Sequence, residues 1–280
     1  MQIYRGMDIG TGKLPPSERR VPHHGLDIVD PGEPFSAALF QSFARTCFID
    51  IESRGKRPVL CGGTGFYVRA AIDDYDFPKG EQVDNATRDK WHEFAATYGS
   101  QALWDELNRI DPASAEIIPV ADVKRLIRAF ELLEDDTSYA TQHERLSSLP
   151  QLWPACFIGL QVDPSVLRSR IDARVDAMVE RGLVDEVKHL LDAGFEQAIT
   201  APQAIGYKEI FAYIKGAISL DEAITSIKTA THRYAKRQRT WFRKDKRITW
   251  LDATNFDLER LTAETLSIAA TMYQTAKETS

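Results

Sequence analysis

The sequence predicts an α/β protein, a parallel sheet covered by helices, into which a wholly helical segment is inserted. Three observations predict it. Short apolar runs at 58–61, 156–162 and 248–251 have the length of buried strands. Stretches of helical periodicity separate them, which suits crossover connections between parallel strands. Residues 78–150 carry helical stripes and charge but no run that reads as a strand.

In chain order, Ser36 is placed to cap a helix whose apolar positions are Phe40, Phe43, Cys47, Phe48 and Ile51, with Gly55 as its stop. A buried strand at Pro58–Cys61 then opens into the turn Gly62-Gly63-Thr64-Gly65. In the helical segment Trp91, Phe94, Trp104 and Leu107 mark the apolar stripes, punctuated by Asp111-Pro112 and Ile118-Pro119. After the strand at 156–162, Asp163 caps a helix that begins at Pro164 and runs to Arg181, with Gly182 as its stop. A shorter helix spans Leu183–Ala193 and is closed by Gly194. The longest helix is expected after Leu220, capped by Asp221, with Ile248–Leu251 as the last strand. The expected organisation is an α/β core of residues 1–77 and 151–280 with a helical insertion at 78–150.

Of 280 residues, 43% are hydrophobic and 27% charged, which excludes a disordered or fibrous chain. No apolar run approaches the roughly 18 residues of a membrane span. Residues Met1–Arg5 lack the apolar stretch of a secretory signal. Cys47, Cys61 and Cys156 form no CxxC pair, which argues against a disulfide framework or structural zinc. A soluble cytoplasmic protein is expected.

Charge is distributed unevenly. Between Lys228 and Arg247 nine Lys/Arg stand against Asp245 alone, a local +8 in a chain of net −6, so the remainder carries −14. His232, Lys236, Arg239 and Arg243 recur on one helical face; Ile224, Ile227, Tyr234 and Trp241 lie on another, suited to packing. A solvated charged face is the ordinary reading of such a run, but so large an excess in an acidic protein points to contact with a phosphate backbone.

Other motifs are weaker. The Gly62–Gly65 turn fits either a loop whose backbone N–H groups approach a ligand or a tight strand-to-helix turn. Gly10-Thr11-Gly12-Lys13 resembles the tail of a Walker A loop, yet Met7 stands where its first glycine belongs. Lys124–Arg128 alone reads as a salt-bridged surface helix. Arg170 and Arg174 are expected to pair within their helix with Asp172 and Asp176. His23-His24 has no third ligand at metal spacing.

Taken together, Gln2–Thr11, His24–Pro31, Gly62–Tyr67, Ala204–Glu209 and Lys236–Arg243 resemble, in order and over nearly the whole chain, the bacterial tRNA dimethylallyltransferase (tRNA isopentenyltransferase) family. The resemblance implies a P-loop kinase-like core of nucleotide- and ATP-binding type, carrying a helical insertion. It implies transfer of a dimethylallyl group from dimethylallyl diphosphate to the exocyclic amine of the adenosine 3′ of the anticodon. That base is flipped out of its stack. It further implies Mg²⁺ at the diphosphate, the tRNA anticodon stem-loop as partner, no membrane, and a monomer.

Position by position, the resemblance makes Gln2 a tRNA contact and places Thr64 beside the target base. Arg88 in the insertion, Lys124, Arg125 and Arg128, and then Lys236, Arg237, Gln238, Arg239 and Arg243 match further tRNA contacts. Lys208 matches a basic position at the diphosphate, where many relatives have arginine; lysine supplies charge without a bidentate fork. The family's phosphate-binding loop, first strand and general-base aspartate match nothing in this chain and would precede Met1. The chain as given is therefore expected to be inactive in catalysis and poorly stable. Two other readings are a tRNA-binding module without chemistry, and a kinase-like enzyme with a small-molecule acceptor.

Overall fold

A computed structural model describes residues 1–77, 86–194 and 201–278. The chain divides into two units, residues 1–72 with 154–280 and residues 73–153. Residue 78, the expected start of the insertion, lies outside the described residues.

In the first unit, α1 (Ala37–Ser53) forms where its apolar spacing predicts. Ser36 Oγ accepts from Leu39 N at 3.2 Å, Ala44 and Phe48 are buried, and Gly55 closes the helix at φ 67°. The strand expected at 58–61 does not form. No strand among the described residues pairs with it, and Val59 is 88% exposed. An apolar run becomes a strand only where a neighbour takes up its backbone groups, and Pro58 has no N–H to offer. The run leads instead through the glycine turn into α2 (Gly65–Ile72).

The other two strands form as expected. β1 (Phe157–Gln161) pairs in parallel with β2 (Ile248–Asp252), Phe157 opposite Ile248 and Gly159 opposite Trp250. A Cβ at Gly159 would stand 2.7 Å from the Trp250 ring, so the pairing depends on that glycine. Between the strands lie α7 (Pro164–Glu180), α8 (Leu183–Asp192), α9 (Tyr207–Ile214) and α10 (Leu220–Phe242). The long α11 (Leu258–Glu278) follows, and its Leu261 packs with Leu251 and Ala253.

Asp163 caps α7 as predicted, accepting from Ser165 N at 2.8 Å and Val166 N at 3.3 Å, and Gly182 breaks the chain at φ 100°. The cap of α10 is Ser219, not Asp221. Ser219 Oγ accepts from Glu222 N, and the Glu222 carboxylate accepts from Ser219 N at 2.7 Å. This reciprocal box requires the acid three residues after the cap, and Asp221 falls one short.

The expected pairing within α7 is overturned as well. Asp172 faces His232 at 2.9 Å and Asp176 faces Lys228 at 2.6 Å, both across to α10. Two acids four residues apart share a helix edge, and the antiparallel neighbour carries Lys228 and His232 at the same interval. Arg170 reaches the carbonyls of Ala253 and Thr254, and Arg174 lies over Gly12.

The main core joins α7 to α10 with the irregular N-terminal segment. Tyr4, Met7, Leu183, Val187, Tyr207, Ile210 and Ile227 pack into one cluster. Each such side chain contributes about 1.5–3 kcal/mol on burial. The segment is held by Glu186, whose carboxylate accepts from the backbone N–H of Asp8, Ile9 and Gly10 and from Tyr207 OH at 2.6 Å. Burial, then the neighbouring Glu186, raise the Tyr207 phenol far above its ordinary pKa, so it stays a donor. Lys13 is equally occupied, pairing with Asp8 at 2.6 Å and Asp27 at 2.5 Å and donating to Tyr4 O.

The second unit consists of α3 (Ala86–Ile110, broken at Gly99), α4 (Pro112–Ile117), α5 (Val123–Glu134) and α6 (Tyr139–Ser147). Among its described residues the only ladder pairing is a single bridge between Asp73 and Gln151. Leu103, Leu107, Ile118, Leu126, Ile127 and Phe130 form its core, with Trp91, Phe94 and Trp104 packed on it. Trp91 stacks on Phe130, and Trp104 Nε1 donates to the carbonyls of Ala115 and Ile118 at 3.0 Å each. Asp111 caps α4 and also accepts from Ser138 Oγ at 2.8 Å, tying three helices together.

Candidate nucleic-acid interface

Helix α10 changes character along its length. Its first half is anchored by buried Ala223 and Ile227 and by the pairs to α7. His232, grouped by sequence with the RNA-facing cations, belongs to this anchored half. Beyond it Lys236, Arg237 and Arg243 are exposed, and these three with Arg239 form no ion pair among the described residues. Tyr234, expected to pack, is 37% exposed, and the Arg237 guanidinium lies 5.7 Å from its ring centre. Just past the helix, Arg247 turns back to Asp245 at 2.6 Å and lies over the Phe157 ring. The Arg247 hydrogen bond holds the Asp245 carboxyl below its ordinary pKa.

The exposed half of α10 lies on the glycine turn. Gln238 Nε2 donates to Gly63 O at 2.8 Å. A Cβ at Gly63 would come within 2.0 Å of that nitrogen, and one at Gly65 within 1.8 Å of Trp241 Nε1. Neither glycine has a positive φ, so the approach of the helix, rather than the turn's backbone, demands them. A Cβ at Gly62, by contrast, would meet nothing within 4 Å. Thr64 stands exposed between the two pinned glycines, and its carbonyl accepts from Val68 N to open α2. The turn is thus held to the cationic helix by a hydrogen bond and an indole. Sequence reasoning missed this contact; its partners lie 175 residues apart, and the only local trace is a glutamine inside a Lys/Arg run.

The remaining candidates occupy other places. Gln2 donates to the carbonyls of Thr11 and Gly12 at 3.1 and 3.3 Å, so its amide nitrogen fastens the N-terminal loop. Lys208 sits exposed in the first turn of α9, 3.4 Å from the Glu209 carboxylate. In the second unit, Lys124 and Arg125 are exposed at the start of α5, and Arg125 pairs with Asp122. Arg88 from α3 and Arg128 from α5 meet on one carboxylate, that of Glu131.

Among the described residues no helix is long and apolar enough to cross a membrane. Nor do three or more His, Cys, Asp or Glu side chains converge to hold a metal ion.

With this geometry in place, comparison with known proteins assigns the family. The IPP transferase family pattern matches residues 2–245. The tRNA dimethylallyltransferase of Carboxydothermus hydrogenoformans is 46% identical over 96% of this chain and 86% of its own length. A crystal structure of the tRNA isopentenylpyrophosphate transferase of Bacillus halodurans superposes with a TM-score of 0.70 at 41% identity, covering 99% of this chain and 87% of that one. A eukaryotic dimethylallyltransferase acting on tRNA superposes at 0.77 with 27% identity, over 96% of this chain and 69% of its own. The fold and the site thus define an α/β protein with a cationic helix docked on a glycine turn. The chain belongs to the IPP transferase family.

Proposed function

We infer that this chain is a tRNA dimethylallyltransferase, moving a dimethylallyl group from dimethylallyl diphosphate to the exocyclic amine of the adenosine 3′ of the anticodon. The observation that carries the reading is the docking of α10 on the glycine turn. One body presents an open row of cations and, pinned beside it, the exposed Thr64 hydroxyl. Lys236, Arg237, Arg239 and Arg243 take phosphates of the anticodon arm, and Gln238 fixes the turn while its carbonyl oxygen can still accept from RNA. A flipped adenine is placed by hydrogen bonding to Thr64. Lys124, Arg125, Arg128 and Arg88 extend the phosphate grip in the helical unit, and Gln2 supports the loop at the start of the chain. In the transfer step the amine nitrogen forms a bond to the allylic carbon as the bond from that carbon to the diphosphate oxygen breaks, diphosphate departs, and the amine's proton is released to water. Lys208 offsets charge on the departing diphosphate.

The core is of the P-loop kinase-like kind, with β1 and β2 as two of its parallel strands, and the protein works as a cytoplasmic monomer. Mg²⁺ is the expected counter-ion of the diphosphate. Among the described residues no three His, Cys, Asp or Glu side chains gather around one point, and no step here passes through the ion.

The test is incubation of the protein with unmodified tRNA and labelled dimethylallyl diphosphate. The expected result is label on one adenosine next to the anticodon, with the mass of one dimethylallyl group, and that result would overturn the inactivity expected from the sequence. Binding of tRNA with no label transferred would refute the enzyme reading.

A further inference from the structure

Helix α8 contributes no residue to the proposed site, yet one of its side chains joins two segments that do. Glu186 is half-buried, and each of its carboxylate oxygens takes two donors. Oε2 accepts from the backbone N–H of Asp8 at 3.1 Å and of Ile9 at 2.6 Å. Oε1 accepts from Gly10 N at 3.2 Å and from the buried Tyr207 hydroxyl at 2.6 Å. Three successive N–H groups turned to one anion form a nest, which only an acceptor fits. The Tyr207 ring lies directly against the same loop, since a Cβ at Gly10 would stand 2.6 Å from it.

Each segment leads to a residue of the proposed site. The loop continues into Thr11 and Gly12, whose carbonyls take the Gln2 amide nitrogen. Tyr207 is followed at once by Lys208, exposed in the first turn of α9. Gln2 belongs to the RNA side of the transfer and Lys208 to the diphosphate side. A displacement at carbon requires the entering and leaving groups to keep one spacing, and an error of about 1 Å costs on the order of a hundredfold in rate. The carboxylate of Glu186 is the shared anchor of the two segments that must hold that spacing.

We propose that Glu186 is a positioning residue for prenyl transfer, locking the loop that fastens Gln2 to the helix start that carries Lys208. The proposal rests on the tRNA dimethylallyltransferase reading above.

Glu186→Gln keeps the size of the side chain but replaces one acceptor oxygen by an NH2 donor. Whichever way the amide turns, a donor meets a loop N–H and part of the anchor opens. With both substrates saturating, kcat should fall by about tenfold or more. KM for tRNA should stay within about threefold, because the cations of α10 are untouched. Tyr207→Phe releases only the α9 arm and should lower kcat in the same direction. Asp163→Ala removes the cap of α7 and none of these contacts, so it is the control for lost stability. It should lower the melting temperature and leave kcat unchanged. Should Glu186→Gln fail to fold, Tyr207→Phe carries the test. An unchanged kcat in whichever variant folds, a loss that lies in KM for tRNA, or an equal fall in Asp163→Ala overturns the proposal. An unmodified chain that transfers no label to tRNA would instead overturn the functional reading beneath it.

Discussion

Lys236, Arg237, Arg239 and Arg243 along α10 have no acidic partner among the described residues, whereas Arg88 and Arg128 in the second unit share the buried Glu131. The first arrangement leaves charge uncompensated. Such charge acts over a Debye length, speeds encounter with a polyanion and fades as salt rises. The second gives up most of its net charge to gain fixed geometry at short range. The two also rely on different supports. The row on α10 is placed by close approach of helix to turn, with glycine where any larger residue would collide. The pair in the second unit is placed by an ionised acid inside an apolar cluster.

That contrast can be broken from either side, and the larger effect is expected in the first unit. Gly65→Ala puts a methyl group 1.8 Å from Trp241 Nε1, so the indole must leave and the turn must move. Overpacking of this kind costs about 1–3 kcal/mol. Thermal melting should register the loss, and if Thr64 places the base as proposed, transfer to tRNA should fall by at least about tenfold. Gly62→Ala is the control. With open space around it, it should stay within about 0.5 kcal/mol of the unmodified protein. Equal behaviour of the two variants would remove helix docking as the reason for these glycines.

The second unit should be the one that feels acid. Burial raises the carboxyl pKa of both Asp111 and Glu131, but Ser114 and Ser138 around the first, and Arg88 and Arg128 around the second, outweigh it and leave both below their ordinary values. A carboxyl with a lower pKa folded than unfolded contributes stability above the unfolded value, near 4, and loses it as pH falls through the folded value. Urea unfolding of this unit, followed by the fluorescence of Trp91 and Trp104, should therefore be flat from pH 7 to about 5 and weaken below about 4. Each group accounts for at most a modest part, because both carry opposing desolvation. A stability that rises on acidification would contradict these ion pairs and hydrogen bonds.

Much of this was legible in the sequence where the cause is local. Asp163-Pro164 fixes the start of α7 because cap and first-turn proline act within three residues, and Ser36 with the spacing from Phe40 to Phe48 does the same for α1. The charge run from Lys236 to Arg243 needed only counting. What could not be read depends on partners far along the chain. Pro58–Cys61 looks like a strand by composition, but pairing decides a strand and no described neighbour supplies it. Asp172 and Asp176 stand beside arginines in sequence, yet the facing helix offers Lys228 and His232 at a matching interval. Ser219 displaced Asp221 because the box with Glu222 depends on one residue of register. Nothing local in the sequence marks Glu186 on α8, and only the folded chain brings three backbone N–H groups to it.

The central proposal is that the open half of α10 grips an RNA hairpin beside the turn that carries Thr64. The most direct measurement is competitive binding of an anticodon stem-loop and an unrelated hairpin of equal length, to the unmodified protein and to the triple variant Lys236→Glu, Arg237→Glu, Arg239→Glu. The expected result is a preference of about tenfold or more for the anticodon stem-loop, and loss of about a hundredfold in affinity for it in the variant. Equal affinity for the two hairpins, or a variant that binds as tightly as the unmodified chain, would contradict it.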